Sequence, residues 1–430
     1  MASTTSSLLL LLLLLLISSH PSEQQQTSSL SPSDKAALFD IRSDLRDLPG
    51  STFFSTWDFA GDPCATFAGV ICSPDDEQGT QSLRVSVLTL GTGLADSPGL
   101  TGTLSPSLPN LTALTDLVVY AGRISGTIPP DIGTRLRRLR LVSISNNPIF
   151  GPIPVSLAGL PDLHTLDLGH NKLQGPIPTP LLLPSSPSLK VLILAANGGL
   201  SGELPPGIST AQLLHLDLRG NSLTGALPRL PSTLRYFSAS DNALSGPLDD
   251  AFAAPLPDLA FLDLSMNAFA GPIPPALFAL PRLSSLLLQR NNLSGPLAVT
   301  PPGAEAPPSW AVVDLSHNML TGEVPAALAA AGSLFLDNNR LTGDVPKEVA
   351  RSVYVGSMTT LYAQHNYLTS FPAPSLPLPD SVALCLSYNC MSLPSAAAAA
   401  GCPASAGTQP SRPSYQCSNT TTAVTGGRDG

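Results

Sequence analysis

Carboxylates recur between aliphatic residues along this sequence, and they are its most obvious candidates for chemistry. Asp167, Asp217, Asp263 and Asp314 are each flanked by leucine or valine, and they lie 50, 46 and 51 residues apart. Acid–base catalysis needs two such groups within hydrogen-bond reach of one substrate, which an even spread along the chain does not provide. No G-x-S-x-G, H-E-x-x-H or phosphate-loop motif occurs either. We therefore expect no enzyme, no cofactor and no metal site.

Imidazoles fall near the same positions. They belong to His164, His170, His215, His317 and His365. Because an ordinary histidine titrates near pH 6.5, these side chains could make binding sensitive to an acidic surrounding. The alternative interpretation is that they are ordinary polar surface residues.

A short strand positions each carboxylate. Around Asp167, Leu166 and Leu168 alternate with polar residues, which is typical of a strand with one buried face. An asparagine follows each strand at intervals of 21 to 27 residues, at Asn147, Asn171, Asn197, Asn221, Asn242, Asn267, Asn291, Asn318, Asn339 and Asn366. Self-similarity at this period predicts a solenoid of about 12 stacked units.

Asparagine, glycine and proline mark the turns of each unit. The amide of Asn171 both donates and accepts, so stacked copies are expected to satisfy the backbone groups of each bend. Gly175 suits a positive φ, and Pro178 three residues later favours an extended outer segment over a helix.

The unit L-x-x-L-x-L-x-x-N-x-L-x-G-x-I-P, nearly complete in residues 160–178, resembles the plant-specific class of extracellular leucine-rich repeats. The preceding region is similar to the N-terminal cap of that family. It has a helical segment from Asp34 to Leu45, Trp57, and the run 62–72, where Phe67 stands near the usual tryptophan. The resemblance implies an α/β repeat solenoid, a leucine-rich-repeat superhelix with a parallel concave sheet and disulfide-stapled caps. Members of this family include receptor ectodomains and polygalacturonase-inhibiting proteins.

The concave face is the expected binding face of such a solenoid. Its central column is predicted as Thr89, Val118, Ser143, Asp167, Ile193, Asp217, Ser238, Asp263, Leu287, Asp314, Phe335 and Tyr362. Neighbouring columns supply Tyr120, His170, Arg219, Tyr236, Phe261, Met266, Gln289, Arg290 and His317. Aromatic residues are the stronger hot-spot candidates. The alternative for the aspartates is that L-D-L is simply the consensus strand, with solvated carboxylates.

Composition and the chain ends indicate an extracellular protein. The net charge of −9 argues against a nucleic-acid partner. The apolar run 8–17 is too short to span a bilayer and predicts a secretory signal peptide over residues 1–22. We expect no membrane span and no lipid anchor. The sequons at Asn110, Asn292 and Asn419 are candidate glycosylation sites.

Six cysteines lie outside the repeats and favour disulfides over metal binding. Cys64 and Cys72 form a natural pair, whereas Cys385, Cys390, Cys402 and Cys417 allow three connectivities. The expected organisation is a cap at 23–82, repeats at 83–373, a cysteine-containing cap at 374–417 and a disordered tail at 418–430.

Arginines cluster at Arg135, Arg137, Arg138 and Arg140. They indicate either a solvated lateral face or a patch for an anionic partner such as pectate or an acidic peptide.

Three functions remain open from the sequence. The first is a secreted plant recognition protein that binds a protein or peptide partner, such as a receptor kinase ectodomain, at the cell surface or wall in signalling or defence. The second is an inhibitor of a wall-degrading hydrolase. The third is a structural wall protein.

Overall fold

The computed structural model describes residues 29–75, 82–94, 97–184, 186, 188–299, 309–372, 377–391, 402–407 and 409–417. The predicted signal peptide at 1–22, the first residues of the predicted cap, most of the proline-rich insertion at 300–309, Asn419 and the predicted tail lie outside these residues.

One long sheet runs through the described chain. Its 14 strands begin with Val70–Pro74, which is antiparallel to Leu83–Leu90, and all later strands are parallel. Those strands are Asp116–Val119, Leu141–Ile144, Thr165–Asp167, Val191–Ile193, His215–Asp217, Tyr236–Ser238, Phe261–Asp263, Ser285–Leu287, Trp310–Asp314, Ala331–Phe335, Thr360–Tyr362 and Ala383–Cys385. We call this the first sheet, and its outward-facing side chains the strand face. The last strand adds a thirteenth parallel unit to the 12 or so predicted, so the repeats continue past residue 373.

A second sheet of 10 parallel strands follows the turns. It comprises Phe150–Gly151, Lys172–Pro176, Gly199–Glu203, Ser222–Gly225, Ala243–Gly246, Ala268–Gly271, Asn292–Pro296, Met319–Gly322, Arg340–Asp344 and Tyr367–Ser370. Near the N-terminus a smaller sheet joins Leu45–Asp47, Leu100–Thr103 and Arg123–Ser125. Leucines from both sheets fill the space between them. Leu166, Leu168 and Leu173 of one unit have no exposed surface.

The predicted asparagine ladder is present. In one unit Asn318 accepts the backbone N–H of Leu293 through Oδ1 (3.0 Å), and its Nδ2 donates to the carbonyl of Leu288. Asn389 repeats this pattern with Leu368 and Ala363, which shows that the thirteenth unit is a true repeat. Asn221 differs, because its Oδ1 is buried without a hydrogen bond. The unit before it is one residue longer, because two residues, Gly198 and Gly199, separate its asparagine from the next leucine where other units have one residue.

Most of the described outer segments contain a short helix, which corrects the expectation that proline would keep them extended; the segments 226–235 and 247–260 contain none. Proline has no N–H to lose at a helix start, and its fixed φ suits that position. Pro154 and Pro346 each directly precede one of these helices. The α-helices are Pro32–Asp44, Pro63–Thr66, Ile132–Arg135, Pro275–Phe278, Lys347–Tyr354 and Ser414–Cys417. The 3₁₀-helices are Phe53–Thr56, Leu108–Asn110, Val155–Gly159, Thr179–Leu182, Pro206–Thr210, Ala326–Ala330 and Ala404–Ala406.

Buried polar contacts and a disulfide hold the N-terminal cap. Asp34 on the first helix is fully buried and accepts hydrogen bonds from the Arg84 guanidinium and from the backbone N–H of Val85. Trp57 stacks on Phe67 with ring centroids 4.8 Å apart, so Phe67 fills the space predicted for it. Cys64 and Cys72 are bonded, as predicted.

Two disulfides clip the C-terminal segment to the last repeat. They join Cys385 to Cys402 and Cys390 to Cys417, which settles the connectivity that the sequence left open. The backbone N–H of Tyr388 donates to the carbonyl of Pro410, as the equivalent residue of each repeat from Asn146 to His365 donates to the next unit. The segment therefore covers the last turn of the solenoid and accepts the hydrogen bond that a further repeat would accept.

Candidate binding face

The strand register confirms the column of residues predicted for the strand face. Each predicted member pairs with the next across the first sheet, from Thr89 opposite Val118 to Phe335 opposite Tyr362. The regular period of two within each strand explains this success, because it determines which side chains point away from the core. The column ends at Cys385, which lies opposite Tyr362 and belongs to the C-terminal disulfide.

Three aromatic rings form a stack on neighbouring strands in the middle of the face. His215 and Tyr236 have parallel rings with centroids 4.1 Å apart, and Tyr236 and Phe261 follow at 4.5 Å. The three residues are paired in the strand register, so the stack runs across the sheet. Burial lowers the pKa of His215 and raises the pKa of Tyr236. We call these residues the aromatic stack.

The strand aspartates have a structural role that the sequence did not show. Asp167, Asp217, Asp263 and Asp314 each accept the backbone N–H of the residue two positions later through Oδ1. The interpretation of solvated carboxylates is wrong for two of them. Asp217 is 4% exposed, and burial is the largest cause of its raised pKa. Burial also raises the pKa of Asp314.

Several predicted residues sit around the stack. Arg219 is half-exposed and lies 3.5 Å from the Asp217 carboxylate. The Oε1 atom of Gln289 is buried without a hydrogen bond. Met266 and Arg290 are exposed, and both have a positive φ.

Tyr120 lies near the N-terminal end of the face. Its ring covers Gly91 and Gly93, and a Cβ on Gly93 would lie 2.7 Å from Tyr120 Cζ. Glycine at position 93 therefore makes room for the exposed ring.

The histidines divide between strand and turn positions. His215 lies in a strand, whereas His170, His317 and His365 have φ of 54°, 54° and 59° in the turns before the ladder asparagines. The C-terminal cap contacts His365, whose Nε2 lies 3.0 Å from the carbonyl oxygen of Ala406. His164 is exposed and precedes its strand.

The positive φ before the ladder asparagines defines a left-handed turn that sequence reasoning did not foresee. It recurs at Asn146, Ala196, Asp241, Asn338 and Tyr388.

A second group of side chains occupies the last repeats. Phe335 and Tyr362 meet edge to face with centroids 5.4 Å apart. Asp337 accepts from Asn338 Nδ2 at 2.8 Å and lies 3.6 Å from His317 Nε2. Gln364 is 2% exposed, and its Oε1 has no hydrogen-bond partner. Asp337 and Gln364 were missed, although the predicted column extended by two residues would have found them.

The arginine cluster and two sequons lie elsewhere. Arg135 donates to Asn110 Oδ1 at 2.8 Å, and Arg137 donates to the carbonyl of Gly159 at 2.9 Å. These contacts tie the cluster to the outer helices. Asn292 is exposed in the second sheet. Glycosylation of these sites stays a prediction.

Within the described ranges, no three histidine, cysteine, aspartate or glutamate side chains are grouped closely enough to bind a metal. Over the same residues, no helix combines the length and apolar character needed to cross a bilayer.

Family models match both parts of this architecture. The leucine rich repeat N-terminal domain matches residues 31–73, and the Leucine Rich Repeat matches residues 162–182 and 212–234. Together with the fold, these matches define the class as leucine-rich-repeat proteins.

The relatives of this chain include plant receptor-like proteins. Receptor-like protein 18 of Arabidopsis thaliana is 30% identical over 224 residues, which cover 51% of this chain and 26% of that protein. The chain thus spans about a quarter of the length of such curated relatives. The chain is thus similar to plant receptor-like proteins, in agreement with the resemblance of its repeats.

Two solved structures share the fold over most of this chain. The ectodomain of the receptor kinase GASSHO1/SCHENGEN3 from Arabidopsis thaliana, in complex with CASPARIAN STRIP INTEGRITY FACTOR 2, is 25% identical with a TM-score of 0.65. It covers 84% of this chain and 48% of that chain. PEPR1 in the PEPR1-AtPEP1 structure is 27% identical with a TM-score of 0.62, covering 84% of this chain and 55% of that chain.

Proposed function

We propose that this chain is an extracellular recognition module that binds a peptide or protein partner on its strand face. The aromatic stack is the observation that carries this proposal. It presents three aromatic rings in fixed register on rigid strands, and such rings supply contact area at little cost in conformational entropy. Aromatic rings that served only to stabilise the fold would be expected in the buried core rather than on the outward face of the first sheet.

Relatives support a binding role. The structures of PEPR1 and GASSHO1/SCHENGEN3 are described as complexes with AtPEP1 and CASPARIAN STRIP INTEGRITY FACTOR 2. A sheet of parallel strands offers an extended partner a long row of equivalent positions. We infer that the partner of this chain crosses the strands and contacts the aromatic stack.

Location outside the cell fits the disulfides. One disulfide lies in the N-terminal cap and two join the last repeat to the C-terminal segment, and an oxidising environment preserves such bonds. The predicted signal peptide and the sequons agree with that location. The partner is then expected at the cell surface or in the wall, as a receptor kinase ectodomain or a wall hydrolase.

Affinity capture tests the proposal. The immobilised protein is exposed to extracellular fluid and then to detergent-solubilised plasma membrane, and each retained protein is measured again on two variants. Phe261→Ala removes a ring from the aromatic stack. Phe150→Ala is the matched control, because Phe150 is an exposed ring on the second sheet.

The outcomes separate the three functions. A partner that Phe261→Ala weakens and Phe150→Ala does not supports the proposal. If that partner is a secreted hydrolase whose activity falls on binding, the chain is an inhibitor. Retention that neither variant changes contradicts binding on the strand face, and retention by wall polysaccharide alone favours a structural role.

A further inference from the structure

The last repeats of the strand face contain two carboxylates that lack a permanent positive partner. Among the described residues, the only basic group within ion-pair distance of Asp337 is His317, and no ion pair reaches Asp314. The neighbouring insertion at 300–308 contains no lysine or arginine. The side chain of Asp337 is 11% exposed, so this carboxylate is mostly buried and lies just below the protein surface.

The two carboxylates also repel each other. Asp314 lies opposite Phe335 in the register, and Asp337 follows two residues later on that neighbouring chain segment. Burial is the first cause of the raised pKa of Asp314, and the charge of Asp337 raises it further. A cation placed between the two groups would relieve this repulsion.

An unpaired amide lies beside them. Gln364 occupies the position next to Asp337 on the following strand, because the backbone N–H of Asn338 donates to the Gln364 carbonyl at 3.0 Å. The side chain is 2% exposed, and its Oε1 accepts no hydrogen bond within the described part of the chain. Since no hydrogen bond from the described residues holds this oxygen, it can accept one from a bound donor without breaking another.

The aromatic pair completes the surroundings. Phe335 and Tyr362 follow Asp314 in the central column, two residues before Asp337 and Gln364 respectively, and their rings meet at an interplanar angle of 87°. The faces of aromatic rings attract flat cations.

We propose that Asp314, Asp337 and Gln364, with Phe335 and Tyr362, form a subsite for the guanidinium group of an arginine in the partner. The planar fork of a guanidinium can donate to two carboxylates at once and also stacks on aromatic rings, whereas an ammonium is a compact point charge. This inference rests on the proposed function, because it names the chemistry that one part of the strand face recognises.

Direct binding of a labelled oligo-arginine peptide tests the subsite, with oligo-lysine of equal length as the comparison. Fluorescence anisotropy is measured near neutral pH at about 0.15 M ionic strength, where diffuse surface attraction is screened. Asp337→Asn is the test variant. Asp241→Asn is the control, because it removes the same charge from an exposed turn of the same face and asparagine tolerates the positive φ there.

The expected result is tighter binding of oligo-arginine than of oligo-lysine, about tenfold weaker binding by Asp337→Asn and less than about a twofold change for Asp241→Asn. Equal effects of the two substitutions, equal binding of the two peptides, or no binding by the unaltered protein would each overturn the subsite.

Failure here is distinguishable from failure of the proposed function. A captured partner that is lost on Phe261→Ala but bound fully by Asp337→Asn leaves the recognition role standing and removes the arginine subsite. A partner whose binding neither change affects contradicts binding on the strand face.

Discussion

The rings of Tyr236 and Phe261 lie face to face across two neighbouring strands, with planes 3° from parallel. Their residues are register partners, so the sheet itself sets the separation of the rings. Strands in a parallel sheet stand about 4.8 Å apart, close to the ideal spacing for stacked aromatic groups. The strand register thereby places the stacked rings one strand apart on the strand face.

Removing the central ring of the stack should separate binding from folding. We expect Tyr236→Ala to lower the affinity for a captured partner by about 2 kcal/mol, the range of an aromatic hot spot. The half-buried position should limit the loss of unfolding free energy to about 1–2 kcal/mol. Titration of the partner by calorimetry and urea unfolding provide the two values. A stability loss without any affinity loss would mean that the stack serves only the fold.

The asparagine ladder should contribute unequally along the solenoid. We expect Asn318→Ala to reduce the free energy of unfolding by about 1–3 kcal/mol, because it leaves buried backbone groups without partners. Asn221→Ala should cost about 1 kcal/mol less, since its Oδ1 already lacks a partner. Urea unfolding followed by circular dichroism compares the two. An equal or larger loss at Asn221 would contradict this order.

The buried aspartate should make stability depend on pH. The folded-state pKa of Asp217 is raised, so the folded protein keeps this proton at a pH where the unfolded chain has released it. Its contribution to stability is therefore lost as the pH rises above 3.8 through the folded-state pKa. We expect Asp217→Asn to gain stability relative to the unaltered protein across that window, measured by urea unfolding from acid to neutral pH.

A control aspartate should behave in the opposite sense. The hydroxyls of Ser370 and Thr369 lower the pKa of Asp344, so its contribution is present above 3.8 and is lost as the pH falls through the folded-state pKa. Asp344→Asn should therefore lose stability relative to the unaltered protein as the pH rises. The same trend for both variants would contradict the assignment.

The disulfides should stabilise the two caps to different extents. Cys390 and Cys417 are 27 residues apart, whereas Cys64 and Cys72 are only 8 residues apart. Closing the longer loop removes more entropy from the unfolded chain. We expect serine at both positions of the C-terminal pair to cost roughly 3–4 kcal/mol, about 1 kcal/mol more than at the N-terminal pair. The reverse order in urea unfolding would show that native contacts, not loop length, decide the effect.

Periodicity made the fold and the face accessible from the sequence. The alternation around Asp167 and the spacing of the asparagines determined both sheet and column, because buried leucines leave one register possible. The thirteenth unit was missed because Leu384, Leu386 and Asn389 lie beside Cys385 and Cys390. The whole segment was therefore assigned to the predicted cysteine-containing cap. Its strand and the contacts of its asparagine follow the repeat nonetheless.

The contacts between neighbouring units could not be predicted from the sequence. The stack of His215 on Tyr236 depends on ring orientation, which the period of the strand does not determine. Burial of Asp217 likewise depends on its neighbours in adjacent units. That Gln364 Oε1 lacks a hydrogen-bond partner among the described residues could likewise be seen only in the folded chain. Pairings among four cysteines also required the backbone, because only their positions in space distinguish the alternatives.

Hydroxyl-radical footprinting of the protein with and without a captured partner tests binding on the strand face most directly, because it reports on individual aromatic side chains. We expect protection of Tyr236, Phe261 and Tyr362 in the complex, with Phe39 and Phe150 remaining as reactive as in the free protein. Protection of Phe39 or Phe150 with no change at the strand face would contradict the proposed binding face.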